Sequence, residues 1–123
     1  MRTICVVTAT RAEYGLLRPV VQKIAASDVL DLQLVVTGAH LCPRLGETVR
    51  EIEADGVPIA ARLPIFVGDE NEPVAVTIAR TITVFDAYFS AHRPDAVLLL
   101  GDRFEIFAAA TAAAARHIPI AHI

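Results

Sequence analysis

The sequence has no tryptophan, one methionine and two cysteines among 123 residues. Cys5 and Cys42 are too few for a disulfide scaffold or a four-ligand zinc site. Positive charge is scarce as well. Eleven Lys and Arg face 14 Asp and Glu, for a net charge of −3, so the basic stripe of a nucleic-acid binder is missing. The longest apolar stretch, residues 106–115, is about half of the roughly 20 residues a membrane span needs, and Thr111 interrupts it. Near the N-terminus, Arg2 precedes only a short apolar run before polar residues and Arg11, which is not the pattern of a secretory leader. The expected compartment is the cytoplasm, with both thiols reduced.

What the sequence has is apolar surface to bury. Hydrophobic residues make up 54% of it and charged residues 20%, with a mean hydropathy of +0.52. That composition excludes intrinsic disorder, and the length suits one domain. Two kinds of segment alternate. Residues 3–7, 32–36, 57–63, 96–100 and 118–122 are short, apolar and rich in β-branched side chains. Residues 11–26, 46–55, 73–91 and 103–116 have helical character. Such alternation predicts βαβ units and a parallel sheet of about five strands. The continuous run from Ala96 to Leu100 suits a strand covered on both faces. Gly56, Pro94 and Pro119 punctuate the ends of the second, third and fourth helices. In the third helix, Val76, Ala79, Ile82, Thr83, Phe85 and Phe89 approximate a buried stripe. The acidic segment from Asp69 to Glu72 reads as a solvated loop before that helix.

In open α/β sheets ligands bind beyond the carboxyl ends of the strands, so the loops there carry the chemistry. The loop after the first strand runs Thr8-Ala9-Thr10-Arg11-Ala12-Glu13-Tyr14-Gly15. It has neither the glycines of a dinucleotide fingerprint nor a P-loop. It does offer hydroxyls and Arg11 at a helix N-terminus, a setting that favours an anion. Its plain reading is a helix cap made by Thr8 or Thr10. After the second strand, Gly38 lets the chain turn, and His40 stands in that turn either as a ligand contact or as a partly buried loop residue. After the fourth strand comes Gly101-Asp102-Arg103-Phe104-Glu105. Asp102 occupies a position typical of catalytic carboxylates. It also fits an N-cap, with Glu105 completing a capping box, and the two readings are compatible. No His, Cys or Glu cluster at metal-ligand spacing accompanies His122, so no metal is expected, and no organic cofactor either. No G-x-S-x-G elbow is present for serine hydrolysis.

Taken together, four segments resemble one family: Val7 to Gly15, Val36 to Leu41, Leu100 to Glu105 and Ile118 to Ile123. They are similar, in order and in strand placement, to the N-terminal half of UDP-N-acetylglucosamine 2-epimerase. The Thr-Arg-Ala-Glu-Tyr-Gly and Gly-Asp-Arg sequences resemble the hydrolysing branch, used in sialic-acid and related nonulosonate synthesis. The resemblance implies a GT-B fold, in which two Rossmann-like domains face a cleft, with residues 1–123 as the N-terminal domain. It implies elimination of UDP across C1–C2 of UDP-N-acetylglucosamine to a glycal, then addition of water to give N-acetylmannosamine. Asp102 then matches a proposed acid/base or water-orienting carboxylate. Arg11 matches an arginine that reaches the diphosphate, His40 a histidine near the nucleotide-sugar, and Arg103 a supporting residue of the same loop.

Three further expectations follow from the resemblance. The UDP-binding C-terminal domain and a catalytic glutamate lie outside these residues, so the chain alone is expected to be inactive. The sugar is left open, a diacetamido sugar being one option. A homo-oligomer is expected through this domain. The alternative is a stand-alone Rossmann-like binding or assembly domain without catalysis, for which the 103–116 helix and the helix carrying Phe85 and Phe89 would supply the assembly interface.

Overall fold

The computed structural model describes all 123 residues. Its elements in chain order are β1 (Arg2–Thr8), α1 (Arg11–Ala25), β2 (Leu30–Thr37), α2 (Val49–Ala54), β3 (Ile59–Leu63), α3 (Val74–Ala91), β4 (Ala96–Leu99), α4 (Phe104–Ala115) and β5 (Ile120–His122). Two short 3₁₀ turns, Gly38–Leu41 and Pro43–Leu45, lie between β2 and α2. All strand pairs are parallel, in the order β3-β2-β1-β4-β5. This is the expected α/β architecture: a three-layer, Rossmann-like parallel sheet of five strands.

Side-chain alternation along the strands produces the layers. Cys5, Val7, Val35, Val97 and Leu99 point to one face, where Phe85, Phe89, Ile106 and Ala109 of α3 and α4 cover them. Val6, Leu34 and Val36 point to the other, against Tyr14, Leu17 and Val21 of α1 and Ile52 of α2. Because both faces are covered, the central strands carry consecutive apolar residues, Ile4 to Val7, Leu34 to Val36 and Ala96 to Leu99.

Three local expectations change. The second helix begins at Val49 rather than at residue 46, because Gly46 (φ 94°) and Glu47 (φ 46°) are left-handed and cannot propagate a right-handed helix. In α3 the buried stripe is Thr77, Thr81, Phe85, Tyr88 and Phe89, while Val76, Ala79 and Thr83 are exposed. A threonine can be buried there because its hydroxyl is satisfied within the helix: Thr81 Oγ1 donates to the Thr77 carbonyl at 2.7 Å. The acidic loop is not merely solvated. Glu72 holds Arg80 through both oxygens, at 2.7 and 2.8 Å, and accepts from Thr77 Oγ1 at 2.6 Å. Those bonds hold its carboxyl down at about 2.

The α3 helix is also 18 residues long, with mean hydropathy 1.2, so by length and composition it is apolar enough to cross a membrane. Here it is a covering layer of the sheet, and its Asp86 is paired with Arg116 after α4 at 2.5 Å.

Candidate functional site

Chain order reverses between β1 and β4, so the crevice of this sheet opens where their carboxyl ends diverge. The loops after β1, β2 and β4 meet there. Ala39 N–H donates to the Ala9 carbonyl at 2.9 Å, tying the first loop to the second. Gly38 sits at φ 61°, and a side-chain carbon on it would lie 3.0 Å from the Ala9 oxygen, 3.1 Å from Ala9 Cβ and 3.4 Å from Glu105 Oε2. A glycine is required for both the backbone angle and the close approach. Gly38→Ala is expected to cost about 2 kcal/mol, from the left-handed backbone and the displacement of Ala9. Urea unfolding would measure it, and an unchanged midpoint would contradict the close approach.

The cap alternatives at α1 resolve in favour of Thr10, whose Oγ1 accepts from Glu13 N–H at 3.3 Å. Thr8 does different work: its hydroxyl meets His40 Nε2 at 2.9 Å, while His40 Nδ1 meets the Thr48 hydroxyl at 2.8 Å. His40 is fully buried, and burial pushes its ring down to about 4, against a weaker upward pull from a hydrogen bond with the Thr10 backbone. The ring is therefore neutral and bridges the loops after β1 and β2, with both nitrogens already engaged. Sequence reasoning left open whether His40 was a ligand contact or a buried loop residue; the geometry places it inside.

Arg11 opens α1 and is exposed, its Nε 3.0 Å from Glu51 of α2. An ion pair this exposed is worth little, so Arg11 exchanges Glu51 for another anion at small cost. Asp102 is exposed and, with Gly101, Ile106, Phe107 and His122, lines a hollow of about 270 Å³ beside β5. The expected cap is absent. Arg103, not Asp102, is the N-cap residue of α4, and no side chain caps that helix. Glu105 makes no capping box either; its buried carboxylate takes the Arg103 guanidinium instead. Asp102 makes none of the chain's side-chain hydrogen bonds or ion pairs, which leaves its carboxylate available to a ligand.

Sequence reasoning missed a pair of buried acids. Glu105 is completely enclosed, and Glu13 nearly so. Glu13 Oε1 accepts from Ala9 N–H at 2.5 Å. Burial raises the Glu13 carboxyl above its ordinary range, the Glu105 charge adds to that, and hydrogen bonds from Ala9, Thr8 and Thr10 oppose it. Both residues stand inside the quoted loop motifs, but nothing in composition marks a glutamate as buried. A larger cleft of about 310 Å³ lies beyond β2 and β3, floored by Leu41, Ile65 and Phe66 and bordered by Arg44 and Glu70, which pair at 2.6 Å. No group of three or more His, Cys, Asp or Glu converges as metal ligands.

A parallel sheet in this order, with helices on both faces and its crevice at the switch point, is a Rossmann-like α/β domain. Residues 22–123 match the family model described as UDP-N-acetylglucosamine 2-epimerase. The chain is 41% identical to a UDP-N,N'-diacetylbacillosamine 2-epimerase (hydrolyzing) of Legionella pneumophila, over all of this chain and 33% of that protein. It is 37% identical to a GDP/UDP-N,N'-diacetylbacillosamine 2-epimerase (hydrolyzing) of Campylobacter jejuni, over 99% of this chain and 32% of that one. The solved UDP-GlcNAc 2-epimerase of Neisseria meningitidis bound to UDP-GlcNAc superposes with a TM-score of 0.83 at 22% identity, over 98% of this chain and 31% of that one. At that identity the likeness concerns the fold. The chain belongs to the UDP-N-acetylglucosamine 2-epimerase family and has the Rossmann-like architecture of a GT-B N-terminal domain. It spans about a third of the length of the relatives it matches.

Proposed function

We propose that residues 1–123 form the N-terminal domain of a hydrolysing 2-epimerase that converts a UDP-2-acetamido sugar and water into the free 2-epimeric sugar and UDP. The observation that carries this reading is the unpartnered, exposed carboxylate of Asp102 just beyond the carboxyl end of β4, next in the chain to Arg103, with Arg11 at the carboxyl end of the neighbouring β1. In the proposed reaction a base removes the C2 proton as the C1–O bond to UDP breaks, giving a glycal. Water then adds its oxygen at C1, and a proton returns to C2 from the opposite face. Asp102 moves or orients one of those protons. Arg11 and Arg103 stabilise charge on the departing diphosphate. His40 contributes by holding the loops after β1 and β2 in register rather than by touching the sugar.

The Legionella and Campylobacter relatives, both named as diacetylbacillosamine epimerases, favour UDP-N,N'-diacetylbacillosamine over UDP-N-acetylglucosamine as the sugar nucleotide. To the same reading belong a second, UDP-holding domain, a cytoplasmic location and no turnover by these residues alone, since they furnish one wall of a cleft. A homo-oligomer through this domain also belongs to it, with exposed Phe107, Val74 and Val76 supplying apolar surface on the α3/α4 layer. The test is UDP release by the full-length protein from each of the two sugar nucleotides. Faster release from the diacetamido substrate is expected, and no release from either would overturn the reading.

A further inference from the structure

We infer that Glu105 is a positioning residue for Arg103: its enclosed carboxylate grips one edge of the guanidinium and turns the other edge toward an anionic group of the ligand. The inference rests on the proposed function and deepens it. Arg103 Nε lies 3.2 Å from Oε1 and 3.4 Å from Oε2 of Glu105, and Nη2 lies 3.2 Å from Oε2. Both carboxylate oxygens are thus engaged, while Nη1 has no partner in the chain. The Glu105 side chain is completely buried and that of Arg103 is 55% exposed, so the grip is anchored inside and the free edge faces out.

The fold gains little from a carboxylate at this place. Withdrawing a carboxylate from water is costly, and the Glu13 carboxyl close by adds to that cost. The enclosure is specific, however. A side-chain carbon on Gly38 would lie 3.4 Å from Oε2, so the carboxylate packs against the Gly38 turn, which is bonded to the Ala9 loop through Ala39 N–H. The carboxylate therefore sits on the rigid junction of three loops. The Phe104 ring, 5.9 Å from the Arg103 Cζ, adds a second constraint on the guanidinium. A planar guanidinium held along one edge presents its other donors in a fixed direction, which a lysine ammonium cannot do.

The test is a double-mutant cycle in the full-length protein, with UDP as the ligand and UDP-sugar turnover as a second readout. Glu105→Gln and Arg103→Lys are each expected to weaken UDP binding roughly tenfold, with the double variant no worse than about either single one, because both remove the same interaction. Turnover should fall together with UDP affinity, because the edge that binds the diphosphate also stabilises the charge it gains on leaving. Additive losses, or a Glu105→Gln protein of lowered Tm that binds UDP like the wild type, would overturn the inference. Should Glu105→Gln fail to fold, surface variants decide. Arg103→Lys is expected to bind UDP no better than Arg103→Gln, whereas wild-type affinity in Arg103→Lys would overturn the grip. A wild-type protein that binds UDP with this coupling but hydrolyses no UDP-sugar would refute the proposed function and leave the grip standing. One that turns over with additive losses would do the reverse, and one that binds no UDP would overturn both.

Discussion

Replacing Asp102 with Asn in the full-length protein is expected to lower kcat by about a thousandfold, within the range that positioned acid–base groups contribute. UDP affinity and Tm should stay at their wild-type values. The separation of effects comes from where the residue stands. Asp102 is exposed at the carboxyl end of β4, lines a hollow beside β5, and holds no other side chain in place. It does not cap α4, so removing its exposed charge costs that helix only about a few tenths of a kcal/mol. Asn keeps the size and the hydrogen bonding but cannot take up a proton. Steady-state kinetics with UDP titrations would separate the terms. A variant that loses UDP affinity while retaining kcat would mark Asp102 as a binding group and remove it from the chemistry.

Acidification is the second large effect, and it acts through His40. The ring titrates near 6.5 in an unfolded chain and at about 4 when buried in the fold. Between those values the unfolded state binds a proton that the folded state refuses, so folding loses stability as pH falls. The stabilisation is complete above the unfolded value and is lost progressively toward the folded one, on the order of 3 kcal/mol in all. Glu13 works in the opposite direction. Its raised carboxyl takes up a proton in the folded state before the unfolded chain does, and so offsets part of the loss. His40→Gln removes only the histidine contribution. The wild type should therefore lose urea resistance relative to His40→Gln as pH drops from 6.5 toward 4. Parallel curves for the two proteins would show that His40 is charged, or reached by solvent, in the fold. The loops after β1 and β2 share this ring through Thr8 and Thr48, so activity should fall along with stability.

The architecture was legible because it follows from pattern. Five apolar β-branched runs separated by helical segments admit few arrangements, and the parallel order with covered faces follows from them. Asp102, Arg11 and Arg103 were legible as loop residues at strand ends, and the structure sets all three at the exposed carboxyl edge of the sheet. What the sequence concealed was direction. A histidine in a turn reads alike whether it faces a ligand or two threonine hydroxyls, and only packing separates the cases. Glu105 looked like the end of a capping box because the spacing from Asp102 is right. The backbone makes Arg103 the cap residue instead and turns the carboxylate inward. The α3 stripe was right at Ile82, Phe85 and Phe89 and off in the first half of the helix, where Thr77 and Thr81 are buried and Val76 and Ala79 face out. The left-handed Glu47, which shortens α2, carries no side-chain signal at all.

Solvent isotope labelling separates hydrolytic epimerisation from every other fate of the sugar nucleotide. The full-length protein would be incubated with UDP-N,N'-diacetylbacillosamine in D₂O enriched in H₂¹⁸O, and the early products read by NMR and mass spectrometry. Elimination followed by hydration predicts free UDP together with a 2-epimeric sugar carrying deuterium at C2 and ¹⁸O at C1. A product that keeps its UDP, or a released sugar with the original C2 hydrogen and configuration, would contradict it.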